Sequence, residues 1–198
     1  IVKNDISLKK NMIITGPNAS GKTTLLKTVL FNIILCQQIG LGFFTEASIT
    51  PFKHIQCYLN IPDTSSRDSL FQAEARRCKE IIDILKSSNK SERHFCIFDE
   101  LYSGTNPEEA IKSANAYLDY LSNKSNLKYM LTTHYLDVCK NINTKKTVNY
   151  NMKILERNNE FDYTYNLEKG ISNVKGGLKV LKDLEYPDEI LEYVKKEN

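Results

Sequence analysis

The segment from Met12 to Gln38 constrains the fold more than any other. A short apolar run, Met12-Ile13-Ile14-Thr15, ends in Gly16-Pro17-Asn18-Ala19-Ser20-Gly21, and Lys22 to Gln38 then repeats apolar residues at helical spacing. The order this predicts is strand, loop, helix. Gly16 to Thr23 fits G-x-x-x-x-G-K-[ST] in full. Those residue types suit a polyphosphate. The glycines let backbone N–H groups turn inward, and the helix that follows presents its positive end. Lys22 can neutralise β and γ oxygens, and the Thr23 hydroxyl can ligate Mg²⁺.

Apolar runs and helical patterns alternate along the rest of the chain. His54 to Ile61 reads as a strand, Pro62 to Asp68 as a polar loop, and Ser69 to Lys86 as an amphipathic helix with Leu70, Ala73, Ile81, Ile84 and Leu85 in phase. Phe95-Cys96-Ile97-Phe98 has the unbroken apolar character of a strand covered on both faces. Pro107 with Glu108 and Glu109 behind it opens a helix to Ser122, and Tyr129 to Thr132 forms the next strand. This alternation predicts an α/β fold with a mostly parallel central sheet and helices on both faces. Thr147 to Leu155 and Phe161 to Leu167 alternate in period two around Asn158-Asn159, which predicts an added β-hairpin. Two short helices follow, Lys175 to Leu184 and Pro187 to Lys195.

Composition bounds the function classes. Residues 1–198 carry 27 Lys and Arg against 24 Asp and Glu, a formal charge of +3, with 41% hydrophobic residues. That is an ordinary globular balance for a single domain. The surplus is too small to announce nucleic acid, and without an evident stripe of lysines, weak binding to duplex DNA is the expectation. The five cysteines are odd in number and lack a C-x-x-C pair, so they read as free thiols of a reducing, intracellular compartment. No apolar stretch approaches the roughly 20 residues of a membrane span. With Ile at position 1, the chain is expected to be part of a longer protein.

Two further features carry chemistry. Asp99-Glu100 ends the Phe95–Phe98 strand, at the edge where open α/β sheets bind ligands. Alone, such a pair reads as a solvated loop. Beside a phosphate loop, Asp99 would hold Mg²⁺ through water, and Glu100 would orient or deprotonate the attacking water. His134 follows Thr132-Thr133 after the next strand, where a polar sensor of the γ-phosphate fits. His54 and His94 have no such placement and read as structural. Ser69 reads as the N-cap of the helix that follows it.

The ordered set Ile14-Thr15-Gly16-Pro17-Asn18-Ala19-Ser20-Gly21-Lys22-Thr23-Thr24, Gln38-Ile39-Gly40, Ser69-Leu70-Phe71-Gln72-Ala73-Glu74, Phe98-Asp99-Glu100-Leu101-Tyr102-Ser103-Gly104-Thr105-Asn106 and Thr132-Thr133-His134-Tyr135 resembles the C-terminal ATPase domain of the MutS mismatch-repair family. The resemblance spans nearly the whole chain. It implies a P-loop NTPase of the ABC class that uses ATP and Mg²⁺ and dimerises around them. It also implies a helical dimerisation tail over 170–198 and action on DNA through upstream domains. By this resemblance Gly16, Pro17, Asn18, Ala19, Ser20, Gly21, Lys22, Thr23 and Thr24 hold the nucleotide, with Asn18 adding a phosphate contact. Thr23 and Asp99 serve the metal, and Glu100 and His134 serve hydrolysis. Ser69 would reach the γ-phosphate held by the opposite subunit, a role compatible with capping its own helix.

The sequence also departs from the family. Tyr102-Ser103-Gly104-Thr105-Asn106 lacks the arginine usual at the dimer seam, Ala19-Ser20 replaces a Met-Gly pair, and the position of the adenine-stacking aromatic corresponds to Ile1. The Thr-Arg-Ile-Gly element is not recognisable near Gln56 to Asn60. Other readings make different demands. A transporter's nucleotide-binding subunit would carry Leu-Ser-Gly-Gly-Gln before the carboxylate strand, and a chromosome-structure ATPase would carry long coiled-coil insertions. A non-catalytic module that binds ATP only to dimerise would differ by its lack of turnover.

Overall fold

The computed structural model describes residues 1–59, 61, 69–157, 160–172, 174 and 176–196. The elements are β1 (Asn11–Thr15), α1 (Lys22–Ile39), β2 (His54–Tyr58), α2 (Leu70–Ser87), β3 (His94–Asp99), α3 (Pro107–Ser122), β4 (Leu127–Thr132), α4 (Leu136–Lys140), β5 (Thr147–Arg157), β6 (Glu160–Lys169), α5 (Gly177–Asp183) and α6 (Asp188–Lys196). They form one six-stranded sheet in the order β2-β3-β4-β1-β5-β6. The first five strands are parallel and β6 runs antiparallel to β5.

Pleating explains the two-sided core. In β3, Phe95, Cys96, Ile97 and Phe98 are all fully buried, and successive side chains point to opposite faces. Phe95 and Ile97 pack with Leu26, Val29 and Ile33 of α1. Cys96 and Phe98 pack with Ile81 of α2 and with Tyr117, Leu118 and Leu121 of α3. Phe98 meets Tyr117 edge-on, with centroids 5.7 Å apart at 90°. Such a pair contributes about 0.5–1.5 kcal/mol beyond its buried area. The α/β layering expected from the sequence is therefore present, with α1 on one face and α2, α3 and α4 on the other.

Helix starts follow local chemistry. Asn106 accepts the Glu109 amide at 3.0 Å, and Pro107 takes the first position of α3, where its missing N–H costs nothing. Ser69 and Gln72 close a reciprocal capping box on α2.

Several boundaries differ from the sequence reading, among them β4, which starts at Leu127 and not Tyr129. β2 ends at Tyr58, not Ile61, because this edge strand has β3 alone to pair with and the ladder stops at Tyr58 opposite Phe98. α4 was absent from the expectation. The hairpin strands β5 and β6 run longer than the alternation indicates. The loop expected over 62–68 and the turn at 158–159 lie outside the described residues. Among the described residues no helix is long and apolar enough to cross a membrane, and all five cysteines are free thiols.

Candidate functional site

β3, β4 and β1 are neighbours in the sheet, so the segments leaving their C-terminal ends converge. Asp99 pairs with Thr132, which in turn pairs with Ile14 one residue before the end of β1. The loop after β1 is the Gly16–Thr23 motif.

Gly21 caps α1 with φ 92° and no side-chain acceptor, so the first amides of the helix are left for a ligand. A Cβ at Gly21 would lie 3.1 Å from the Tyr165 ring and would require a left-handed conformation that other residues avoid. Asn18, Ala19, Ser20, Gly21, Lys22, Thr23, Thr24, Glu100 and Tyr165 line an open cleft of about 380 Å³. Ser20 Oγ is buried there without a hydrogen-bond partner. Gly16 and Pro17 lie just below, and their carbonyls accept the Lys22 ammonium at 2.9 and 3.0 Å. Burial holds Lys22 below the ordinary lysine value, opposed by the charges of Glu100 and Asp99. An anion in the cleft would relieve that penalty.

Thr23 Oγ1 donates to Asp99, lying 3.1 and 3.0 Å from its two carboxylate oxygens, and the Thr132 hydroxyl donates to the same carboxylate. A hydroxyl and a carboxylate held side by side are hard oxygen donors of the kind Mg²⁺ takes, with water and phosphate filling its other positions. Among the described residues no group of three or more His, Cys, Asp or Glu could hold a metal alone. This donor set fits a cation bound jointly with a polyphosphate.

Glu100 adopts φ 55°, in the left-handed region, and its amide donates to Thr132 O at 3.1 Å. His134 Nε2 stands 2.8 Å from Glu100 Oε1 and 3.5 Å from Lys22 Nζ. The shorter contact places the proton of Nε2 toward the carboxylate. This hydrogen bond holds Glu100 below the ordinary carboxylate range, against its partial burial and with help from the His134 and Lys22 charges. An ionised carboxylate at this edge is what a water-activating group requires.

The structure thus gathers the phosphate loop, Asp99, Glu100 and His134 at one edge. Ser69 stands apart from the cleft. It is exposed, its hydroxyl accepts the Gln72 amide at 3.3 Å, and its own amide donates to Gln72 Oε1 at 2.8 Å. Ile1 is fully exposed. Tyr165, Thr132 and Glu74 were not singled out from the sequence. Tyr165 stands over Gly21 because Asn4 bonds its carbonyl at 2.9 Å and accepts the Leu167 amide at 2.6 Å. No local signal announces that link across 161 residues.

The sequence model of MutS domain V matches residues 12–198. The chain is 31% identical over 195 residues to the endonuclease MutS2 of Lactococcus lactis subsp. cremoris strain MG1363, covering 96% of this chain and 24% of that protein. It is 30% identical over 202 residues to the endonuclease MutS2 of Bacillus cereus strain B4264, covering 97% of this chain and 24% of that one. The same figures hold for the endonuclease MutS2 of Bacillus thuringiensis strain Al Hakam. The chain therefore spans about a quarter of the length of these relatives. By the match over nearly its whole length, and by a site that agrees with it, the chain belongs to the MutS domain V family, an ATPase-type module.

Proposed function

We propose that this chain binds and hydrolyses ATP with Mg²⁺, dimerises around the nucleotide, and passes nucleotide state to DNA-holding parts of a longer protein. The observation that carries this reading is the convergence of Lys22 and Thr23 with Asp99, Glu100 and His134 at the ends of three adjacent strands around one open cleft.

In this reading the amides of Ala19 to Thr24 surround the β-phosphate, and Asn18 adds a contact from inside the loop. Lys22 leaves the Gly16 and Pro17 carbonyls for the β and γ oxygens, exchanging neutral acceptors for charged ones. The Thr23 hydroxyl and Asp99 would hold the metal, which would supply charge neutralisation to the phosphates. Glu100 orients and deprotonates the attacking water, and His134, bonded to Glu100, faces the γ-phosphate. Tyr165 offers an aromatic face above the loop, a surface on which a base can stack. Ser69, exposed at the start of α2, reaches in this reading a nucleotide held by a second subunit, with α5 and α6 in the dimerisation tail. The relatives' name, endonuclease, belongs to proteins about four times longer. It favours a DNA-processing role for the parent of this chain.

Calorimetry with ATP and Mg²⁺ tests the reading. The parent chain should bind and Lys22→Ala should not; equal affinity in both would refute the assignment. Light scattering with ATP should show association that Ser69→Ala weakens.

A further inference from the structure

The end of the sheet opposite the cleft gathers positive charge that the sequence disperses. Segments 6–10, 50–53, 88–93, 123–126 and 141–146 enter β1, β2, β3, β4 and β5 side by side, because these strands are parallel and their starts are aligned to within two residues. Asn11 lies opposite Thr147, and His54, His94 and Leu127 are aligned. Lys9, Lys10, Lys53, Lys90, Arg93, Lys124, Lys145 and Lys146 stand in those segments, with Lys128 at the second position of β4. Glu92 is the only carboxylate in them. The whole chain carries only +3, so its remaining surface is net acidic.

Most of these cations are held by groups that leave their charge unspent. Lys10 bonds Thr144 O at 2.8 Å, Lys128 bonds Lys9 O at 3.0 Å, and Lys146 bonds Asn123 Oδ1 at 2.5 Å. Lys124 lies 4.3 Å from the centre of the Tyr120 ring. Arg93 bonds the Thr50 carbonyl and stands 4.4 Å over the Phe52 ring. Lys53 pairs with Glu92 at 2.6 Å, and His54 meets the other oxygen of that carboxylate at 2.8 Å. Burial and then the Arg93 charge hold Lys128 below the ordinary lysine value, a sign that like charges crowd this edge.

The chemistry that fits is an extended polyanion. Five strands at about 4.8 Å spacing make a row about 19 Å long, and duplex DNA presents a charge every ~1.7 Å of its axis. Ser125, Asn141, Asn143 and Thr144 stand between the lysines and can bond phosphate oxygens, whereas the Asn123 and Asn126 amides are taken up by Asp119 and by the Glu92 carbonyl. The exposed apolar side chains that a membrane surface would need, Phe31, Ile39, Leu41 and Phe43, lie on α1 and the loop after it. We propose that this edge binds the phosphate backbone of double-stranded DNA without reading its sequence. The surface is separate from the nucleotide cleft and does not depend on the reading of that cleft.

The test is fluorescence anisotropy of a labelled 30-base-pair DNA with the 198-residue chain, between 50 and 250 mM KCl. The chain should bind at 50 mM with an affinity that falls steeply with salt. A triple variant, Lys9→Gln, Lys124→Gln and Lys145→Gln, should bind at least tenfold more weakly and lower the salt slope by about 3. A matched triple variant on α3, β5 and α5, Lys112→Gln, Lys153→Gln and Lys182→Gln, should stay within twofold of the parent. Circular dichroism melts check that all three proteins fold alike, and ATP affinity should be equal in all. The proposal is overturned by no binding at 50 mM, by equal loss in the two triple variants, or by tighter binding to phosphatidylserine vesicles, duplex RNA or single strands than to duplex DNA.

Discussion

The Glu74 carboxylate accepts both the backbone amide of Ser103, at 3.0 Å, and its hydroxyl, at 2.9 Å. Its other oxygen accepts the Gly104 amide at 3.0 Å. Glu74 is 2% exposed, so a buried carboxyl group on α2 fixes the loop that leaves Glu100. Gly104 closes the contact: a Cβ there would lie 2.6 Å from the Leu70 side chain and 2.8 Å from the Phe71 amide. The start of α2, which carries Ser69, and the segment after Glu100 are therefore one packed unit.

Glu74→Gln tests that unit. The amide keeps one acceptor oxygen but turns a donor toward an N–H, which leaves a buried amide unsatisfied at a cost of about 1–3 kcal/mol. Urea unfolding should show a loss of that size. ATP turnover should fall while ATP affinity stays near that of the parent, because the cleft lining is untouched. Unchanged stability would mean the loop holds itself without Glu74.

Glu100 and His134 form the second testable pair. Glu100→Gln removes the water-activating carboxylate and should slow hydrolysis by about 10²-fold or more, with ATP still bound. A variant that turned over at the parent rate would dismiss Glu100 as the base. His134→Ala removes the hydrogen bond that chiefly holds the Glu100 carboxyl low. Its pKa then rises toward the ordinary glutamate value, so the acid limb of the rate profile should move to higher pH. An acid limb that does not move would show that another group sets it.

Much of this arrangement could be read from residue order, and the parts that could not share a physical cause. Gly16–Thr23 is contiguous, and Phe95–Phe98 declares a central strand because nothing polar interrupts it. Asp99 and Glu100 directly follow an apolar run, and His134 follows one after Thr132-Thr133. α4 escaped because the five residues Leu136–Lys140 are too few to show a helical period. Tyr165 and Glu74 act through partners far along the chain, Asn4 for the first and Ser103 for the second. The basic edge is hidden in the same way, since five separate segments supply it and only the parallel order of the strands joins them. Ser69 could be read either way from the sequence, and in this single chain it caps α2.

Lys22 links pH to nucleotide affinity. Burial lowers its pKa in the free protein, and a bound triphosphate would raise it by supplying a facing anion. Between those two values, binding must take up a proton. ATP affinity should therefore weaken as pH rises through the lowered value, below the ordinary lysine range. Lys22→Arg cannot lose its proton and should show a flatter profile, whatever its absolute affinity. Calorimetry in two buffers of different ionisation enthalpy would report the proton uptake directly, and none at alkaline pH would contradict the linkage.

His94 is fully buried at the start of β3, with Nε2 2.8 Å from the Ser88 hydroxyl and Nδ1 unpartnered. Its ring stacks on His54 at 4.4 Å and 13°. Burial, and then the His54 charge, hold it below the ordinary histidine value, with Glu92 opposing. The unfolded chain therefore binds the proton more readily than the folded one. That contribution to stability is complete above an unfolded value of about 6.5 and is lost as pH falls below it. The melting temperature should drop between pH 7.5 and 5.5. In His94→Gln the drop should be smaller, even if the variant starts from a lower melting temperature. Equal slopes in the two proteins would assign the acid sensitivity to other groups.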